Sequence, residues 1–245
     1  MTYRVGLIVP SSNTTMETEI PAMLRAREQA YSDRFTFHSA RMRMRKVTIE
    51  ELKSMDGVSH QCAVELADAR VDVVAYACLV AIMSMGLGYH CTSEQLLGKT
   101  VADAGVPIPV ITSAGALVQG LHTMGAKSVA MVMPYMPPLA KLVREYVENE
   151  GIKVVDSLAF GIEDNLEVGR RDPKLLINDI EKLNTTGADA VVLSACVQMP
   201  SLGAIPAVED KLGLPVLSAA TATTRSLLEA LGLEPKLPGA GALLA

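Results

Sequence analysis

Four cysteines occur in this 245-residue chain, at positions 62, 78, 91 and 196. Two of them have matching surroundings, Ala75-Tyr-Ala-Cys-Leu79 and Leu193-Ser-Ala-Cys-Val197. In each, an apolar strand-like run ends at the cysteine and an irregular or polar turn follows. An ionised thiol is a nucleophile, and a neutral thiol beside it can give or recover a proton. Two such groups on opposite faces of one small molecule suit covalent addition coupled to proton transfer. Free cysteine is also among the most buried residue types, so either thiol taken singly reads first as core. Their mirrored placement sets Cys78 and Cys196 apart. Cys62 falls on the apolar side of a helical pattern and reads as core. Cys91, in the Gly-rich segment Gly86-Leu-Gly-Tyr-His-Cys91, reads as structural.

Polar groups that would hold an anion are found at other strand ends. Pro10-Ser-Ser-Asn-Thr-Thr15 precedes a helical pattern. Its hydroxyls, the Asn13 amide and free N–H groups at a helix start would form a neutral anion cradle, although capping alone uses the same residue types. The equivalent second-half turn, Pro134-Tyr-Met-Pro-Pro138, offers Tyr135 as either a phenol in a cleft or a packing residue. Ser113-Ala-Gly-Ala116 reads as further N–H donors or as close packing. Asn165, in Gly161-Ile-Glu-Asp-Asn-Leu166, reads as a polar ligand group or a turn residue. The basic run Arg41-Met-Arg-Met-Arg-Lys46 reads as a solvated edge or subunit contact rather than a substrate clamp.

Other chemistries lack their signatures. The histidines, at 38, 60, 90 and 122, are scattered, and no C-x-x-C or H-E-x-x-H spacing suggests a metal site. There is no G-x-S-x-G elbow, no G-x-G-x-x-G and no phosphate-binding G-x-x-x-x-G-K-[ST]. A net charge of −5 argues against a nucleic-acid surface. The longest apolar run, Val73 to Met83, is too short to cross a bilayer. No secretory signal is visible, which implies a cytoplasmic setting with reduced thiols.

The elements that must position these groups alternate in the βαβ manner. Val5–Pro10, Phe35–Met42, Val71–Leu79 and Pro109–Thr112 read as strands. Met16–Ala30, Ile49–Arg70 and Ser93–Ala104 read as helices, with Val58, Cys62 and Leu66 on one face of the second. The rhythm restarts near residue 115. Strands are expected at Ser128–Met133, Val154–Ala159, Ala190–Ala195 and Val216–Ala219. Helices are expected at Ala116–Met124, Leu139–Glu150, Pro173–Thr185, Leu202–Leu212 and Thr223–Leu231, and a loop from Pro235. Val5–Pro10 parallels Val129–Pro134, and Pro109–Ala114 parallels Pro215–Ala220. With the cysteine segments this makes three matches in the same order, which points to duplication of one α/β unit. The expected fold is α/β, with two pseudo-symmetric parallel-sheet domains and a ligand cleft between them at the strand C-termini. Residues 1–115 and 116–217 would form the two halves, with about 218–245 packing back on the first.

With these segments placed, the chain resembles the maleate cis–trans isomerases of the Asp/Glu racemase superfamily. The resemblance rests on Val9-Pro-Ser-Ser-Asn-Thr-Thr-Met-Glu-Thr-Glu-Ile-Pro21, Tyr76-Ala-Cys-Leu-Val-Ala-Ile-Met83 and Leu193-Ser-Ala-Cys-Val-Gln-Met199, supported by Ile111–Leu117 and Pro134-Tyr135. Amino-acid racemases of that superfamily follow the cysteine with Asn-Thr, where this chain has Leu79-Val80 and Val197-Gln198. Arylmalonate decarboxylases carry Gly in place of the first cysteine, where this chain has Cys78. The resemblance implies that Cys78 adds to the double bond of maleate and that Cys196 is the acid/base. It also implies that Asn13, Tyr135 and Asn165 bind the carboxylates, with N–H groups near Leu79, Val80 and Val197. It further implies a homodimer without metal or organic cofactor, in a setting such as nicotinate degradation. A racemase or decarboxylase of a related acid, and a non-catalytic dicarboxylate-binding protein, are the rival readings.

Overall fold

A computed structural model describes residues 1–245. The first half runs β1 (Thr2–Pro10), α1 (Met16–Ala30), β2 (Arg34–Met42), α2 (Ile49–Asp68), β3 (Val73–Tyr76), α3 (Leu79–Ser84), α4 (Tyr89–Asp103), β4 (Val110–Thr112) and α5 (Ser113–Thr123). The second runs β5 (Ser128–Met133), α6 (Pro137–Asn149), β6 (Lys153–Ala159), α7 (Asn165–Arg170), α8 (Leu176–Asp179), β7 (Ala190–Ser194), α9 (Ile205–Leu212), β8 (Val216–Ser218) and α10 (Ala219–Ala230). Two all-parallel sheets result, ordered β2-β1-β3-β4 and β6-β5-β7-β8. The orders are identical, so the three repeated segments fall on equivalent strands: β1 and β5, β3 and β7, β4 and β8.

Helices cover both faces of each sheet, which is why the inner strands are apolar without alternation. From Val5 onward β1 is buried throughout, as are β3 and β7. Gly6 allows the connection before β3 to pack against β1, because a Cβ there would lie 2.9 Å from Val71 Cγ2. One continuous apolar core joins the two sheets. No helix is long and apolar enough to cross a membrane.

Several expectations are corrected. The run Val71–Leu79 is not one strand: β3 stops at Tyr76 and Leu79 opens α3, so Cys78 sits at a helix start. Val58 is exposed, and the buried stripe of α2 is Leu52, Met55, Ser59, Cys62, Ala63, Leu66 and Ala67, the 3.6-residue spacing of an amphipathic helix. Cys91 belongs to α4 rather than a turn, and is exposed. Residues 173–182 form a 3-10 turn, the short α8 and another 3-10 turn instead of one helix. Asn178 and Asp179 are poor helix formers, and Asp179 pairs with Arg171 from outside the segment.

The tail is not a bare loop. Leu237, Ala240, Leu243 and Leu244 are buried. Gly241 passes where a Cβ would meet Ile205 at 2.6 Å. α10 packs on α5 and α1, and the buried Arg27 of α1 donates to the carbonyls of Glu234, at 2.7 Å, and Lys236.

Candidate active site

Cys78 emerges where β3 ends. The Ala77 N–H continues the ladder to Ile8 O at 2.9 Å, and Cys78 O then accepts from Ala81 and Ile82 in the first turn of α3. This reversal aims the Val80 and Ala81 N–H groups at the sulfur. Two residues upstream, Tyr76 is fully buried and donates to Asp56 Oδ1 at 3.2 Å, while Tyr89 donates to Asp56 Oδ2 at 2.9 Å. Strand β3 is thus tied to α2 and α4 directly behind the thiol.

Cys196 follows β7 on a loop rather than a helix. Ser194 Oγ reaches the carbonyl oxygens of Cys196, at 2.8 Å, and Met199, at 3.1 Å, and curls the loop. The Gln198 and Met199 N–H groups face its sulfur. The Tyr135 hydroxyl is within reach of both this sulfur and Ala195 O, the latter at 3.0 Å. With one proton, it can donate to only one of them at a time.

Both thiols line one small cleft between the lobes. Its empty space, about 290 Å³ with the open mouth included, leaves room for a ligand of few atoms. Asn13, Leu79, Val80, Tyr135, Asn165 and Val197 line it as well, so the structure gathers all eight sequence-nominated residues. No lining residue is charged. Burial pushes the Cys78 thiol up to about 12; the Ala81 N–H opposes this, and the Cys196 and Asp56 charges add to it. Burial also raises Cys196, against the Tyr135, Gln198 and Met199 donors. A helix start by itself would acidify a thiol, but at Cys78 dehydration of the sulfur outweighs the two N–H groups.

The anion cradle also differs from its expected form. Asn13 Oδ1 accepts from the N–H groups of Thr15 and Met16, both at 3.0 Å. Those of Thr14 and Thr15 also donate to Gln198 Oε1, at 2.9 and 3.2 Å. The N–H groups of Thr14, Thr15 and Met16 are thus taken by side chains, while the Asn13 amide NH2 is left for an anion. Asn165 Nδ2 donates to Ser12 Oγ at 2.9 Å, so the second amide arrives from the opposite lobe.

Ser113–Ala116 lies outside the cleft. Gly115 N–H is spent on Thr112 Oγ1 at 3.0 Å, and a Cβ on Gly115 would be 2.6 Å from the Glu94 carboxylate, which would repel an anion. Close packing is the reading that holds there. Arg41 is not a free edge charge either: it pairs with Glu17 and donates to Ser11 O and Asn13 O, bracing the turn that carries Asn13.

Pro10, Met44, Val47 and Gln198 complete the lining and were not nominated from the sequence. The signal for Met44 was present in Arg41-Met-Arg-Met-Arg45, where alternation buries both methionines. Glu51 shapes this loop by accepting from Arg45 and Lys46 N–H at 2.6 and 3.1 Å. Lys46 then pairs with Glu163, two residues before the cleft-lining Asn165.

Known proteins resemble this chain over nearly its whole length. The arylmalonate decarboxylase family model matches residues 5–244. Maleate isomerase of Geobacillus stearothermophilus is 59% identical over 243 residues, covering 99% of this chain and 97% of its own. That of Pseudomonas putida is 60% identical over 242 residues, covering 99% and 97%. The crystal structure of the maleate isomerase Iso from Pseudomonas putida S16 superposes with a TM-score of 0.99 at 56% identity, covering 100% of this chain and 98% of its own; a Cys→Ala form of it was crystallised with maleate. A Cys→Ser mutant of Nocardia farcinica maleate cis-trans isomerase, with a covalently bound succinylcysteine intermediate, superposes with a TM-score of 0.96 at 44% identity, covering 100% and 98%. Crystalline arylmalonate decarboxylase, at 21% identity and a TM-score of 0.73, shares the fold. With cysteines at equivalent strand ends converging on one uncharged cleft, this chain belongs to the maleate isomerase family.

Proposed function

We propose that the protein isomerises maleate to fumarate by covalent addition and elimination at Cys78, with Cys196 as the proton carrier. The observation that carries this is the convergence of the two thiols, one from each lobe, on a single small cleft without charged walls. Rotation about the substrate C=C is blocked by its π bond. The Cys78 thiolate lone pair forms an S–C bond to one alkene carbon. The π electrons move toward the other carbon and its carboxylate, and that carbon takes the Cys196 proton. The former double bond is now single and turns. Cys196 thiolate then removes a proton, the C=C re-forms in the trans sense, and Cys78 leaves as thiolate. Repulsion between two carboxylates is greater in the cis isomer and favours the product.

The side chains of Asn13, Tyr135 and Asn165, with N–H groups near Leu79, Val80 and Val197, hold the carboxylates and stabilise the charge that builds up during addition. Uncharged donors suit this task, because a bidentate Arg would pin the carboxylate that must swing. With Cys78 pushed up to about 12, the attacking thiolate is a minority species at neutral pH. The two-lobed division at residues 1–115 and 116–217, with 218–245 returning to the first lobe, belongs to this reading. A homodimer in the cytoplasm and a setting in nicotinate degradation are taken from the family and await sedimentation and cell fractionation.

Mass spectrometry of protein quenched with maleate tests the core of the proposal. A succinyl adduct on the peptide bearing Cys78, with fumarate vinyl protons growing in by NMR, is the expected result. Saturable maleate binding with neither signal would leave only a dicarboxylate-binding protein.

A further inference from the structure

Gln198 is 2% exposed and lines the cleft two residues after Cys196, and its side chain makes four hydrogen bonds, none within its own segment. Its Oε1 accepts from the N–H groups of Thr14, at 2.9 Å, and Thr15, at 3.2 Å; its Nε2 donates to Ser12 O at 3.1 Å and Asn165 O at 2.8 Å. All four partners are backbone groups. Three belong to the turn of the first lobe that carries Asn13, and the fourth belongs to Asn165 itself. We propose that Gln198 is a positioning residue for the isomerisation: a four-bond latch that sets the Cys196 loop against the Asn13 turn and keeps carboxylates off the start of α1. The proposal rests on Cys196 acting as acid/base.

Only an amide satisfies this site. Glutamate would accept from the two N–H groups but turn its second oxygen toward the carbonyls of Ser12 and Asn165, and an aliphatic side chain would leave all four buried groups unpaired. The neighbourhood is cut to fit. Gly169 in α7 has no Cβ, and one built there would lie 2.4 Å from Gln198 Nε2. No positive φ demands glycine at that position, and glycine inside a helix is otherwise a cost. By holding the N–H groups of Thr14 and Thr15, Gln198 also occupies donors that would grip a substrate carboxylate and prevent its swing.

Gln198→Met keeps the side-chain length and removes all four bonds. Gly169→Ala leaves Gln198 in place and pushes on it, while favouring the helix. Steady-state kinetics, thermal midpoints and quenched-adduct mass spectrometry on both variants test the latch. Gln198→Met is expected to lower kcat roughly tenfold or more, in keeping with several lost buried hydrogen bonds, while KM changes much less. The Cys78 succinyl adduct should accumulate above the parental fraction, because a displaced Cys196 stalls the proton step. Gly169→Ala is expected to give a smaller fall in kcat with the same accumulation. Parental kcat in Gln198→Met, or a fall in kcat without a rise in adduct, would overturn the latch alone. A parent that neither turns over maleate nor forms an adduct would overturn it together with the isomerase reading.

Discussion

Cys78 and Cys196 occupy equivalent ends of equivalent strands, yet they are held in different ways. Cys78 is moored inside its own lobe: α3 begins at it, and Asp56 ties Tyr76 and Tyr89 behind it. Cys196 sits on a loop whose outer bonds run to the other lobe. Glu19 of α1 accepts from Ser201 and Leu202 N–H at 2.6 and 2.7 Å, and Gln198 bridges to residues 12–15. A repeated unit has thus produced two unequal thiols. In the proposed mechanism, the sulfur that bonds carbon stands on a rigid base, and the sulfur that carries a proton stands where the lobes meet.

The largest effect should come from removing either thiol, and the two removals should differ. Cys78→Ala is expected to cut turnover at least about a thousandfold, as loss of a nucleophile does, and to abolish adduct formation. Cys196→Ser should lose turnover comparably while retaining the adduct. Equal behaviour of the two variants in the adduct assay would erase the difference between the two thiols.

Tyr135→Phe comes next. It removes the hydroxyl shared between Cys196 and Ala195 O, and a drop of roughly ten- to a hundredfold in kcat is expected, equivalent to one hydrogen bond to a charged group. Unchanged kcat would take Tyr135 out of the chemistry.

Glu19 tests the second mooring through stability. Glu19→Ala leaves the buried N–H groups of Ser201 and Leu202 unpaired and should cost about 2 kcal/mol in urea unfolding. Glu19→Gln keeps an acceptor and should be far milder. Burial raises the Glu19 carboxyl above its ordinary 4.5, against the donors of Leu202 and Ser201. A carboxyl raised by folding contributes stability fully below its unfolded pKa and loses it as pH climbs through the folded value. Glu19→Gln should therefore flatten that part of the stability–pH curve, just above 4.5, and an unaltered slope would show that the charge is not felt.

The smallest effect concerns the first mooring. Because Cys78 is held near 12, kcat/KM is expected to climb with pH through the neutral and alkaline range, until Cys196, also raised, loses the proton it must donate. Asp56→Asn removes one negative charge behind Cys78 and should shift the rising limb to lower pH, with only a few-fold rate gain at fixed neutral pH. A shift to higher pH would contradict the assignment of Asp56.

Much of the scaffold was legible because buried parallel strands are written as continuous apolar runs. Val5–Pro10 and Ser128–Met133 are of this kind, and their repetition foretold two sheets of the same order. The boundaries failed where local patterns compete. Nothing in the unbroken apolar run from Val73 to Met83 marks the change from strand to helix at Cys78. Pro173–Thr185 has helical spacing, but its Asp179 pairs with Arg171 outside the segment. In the cleft, Asn13, Tyr135 and Asn165 were visible as polar residues at strand ends. Gln198 was visible only as a departure from the racemase pattern, because its partners lie up to 186 positions away.

By itself the sequence determined the strand–helix rhythm, the mirrored cysteines and the uncharged polar turns, since each is a local matter of residue type and spacing. The tertiary structure alone decided three other things. The donors at the start of α1 are consumed by side chains rather than left for a ligand, burial lifts both thiols above their ordinary range, and Cys196 takes its position from the opposite lobe. Hydrogen-bond satisfaction and desolvation depend on which groups meet in space, and a chain discloses those meetings only once it has folded.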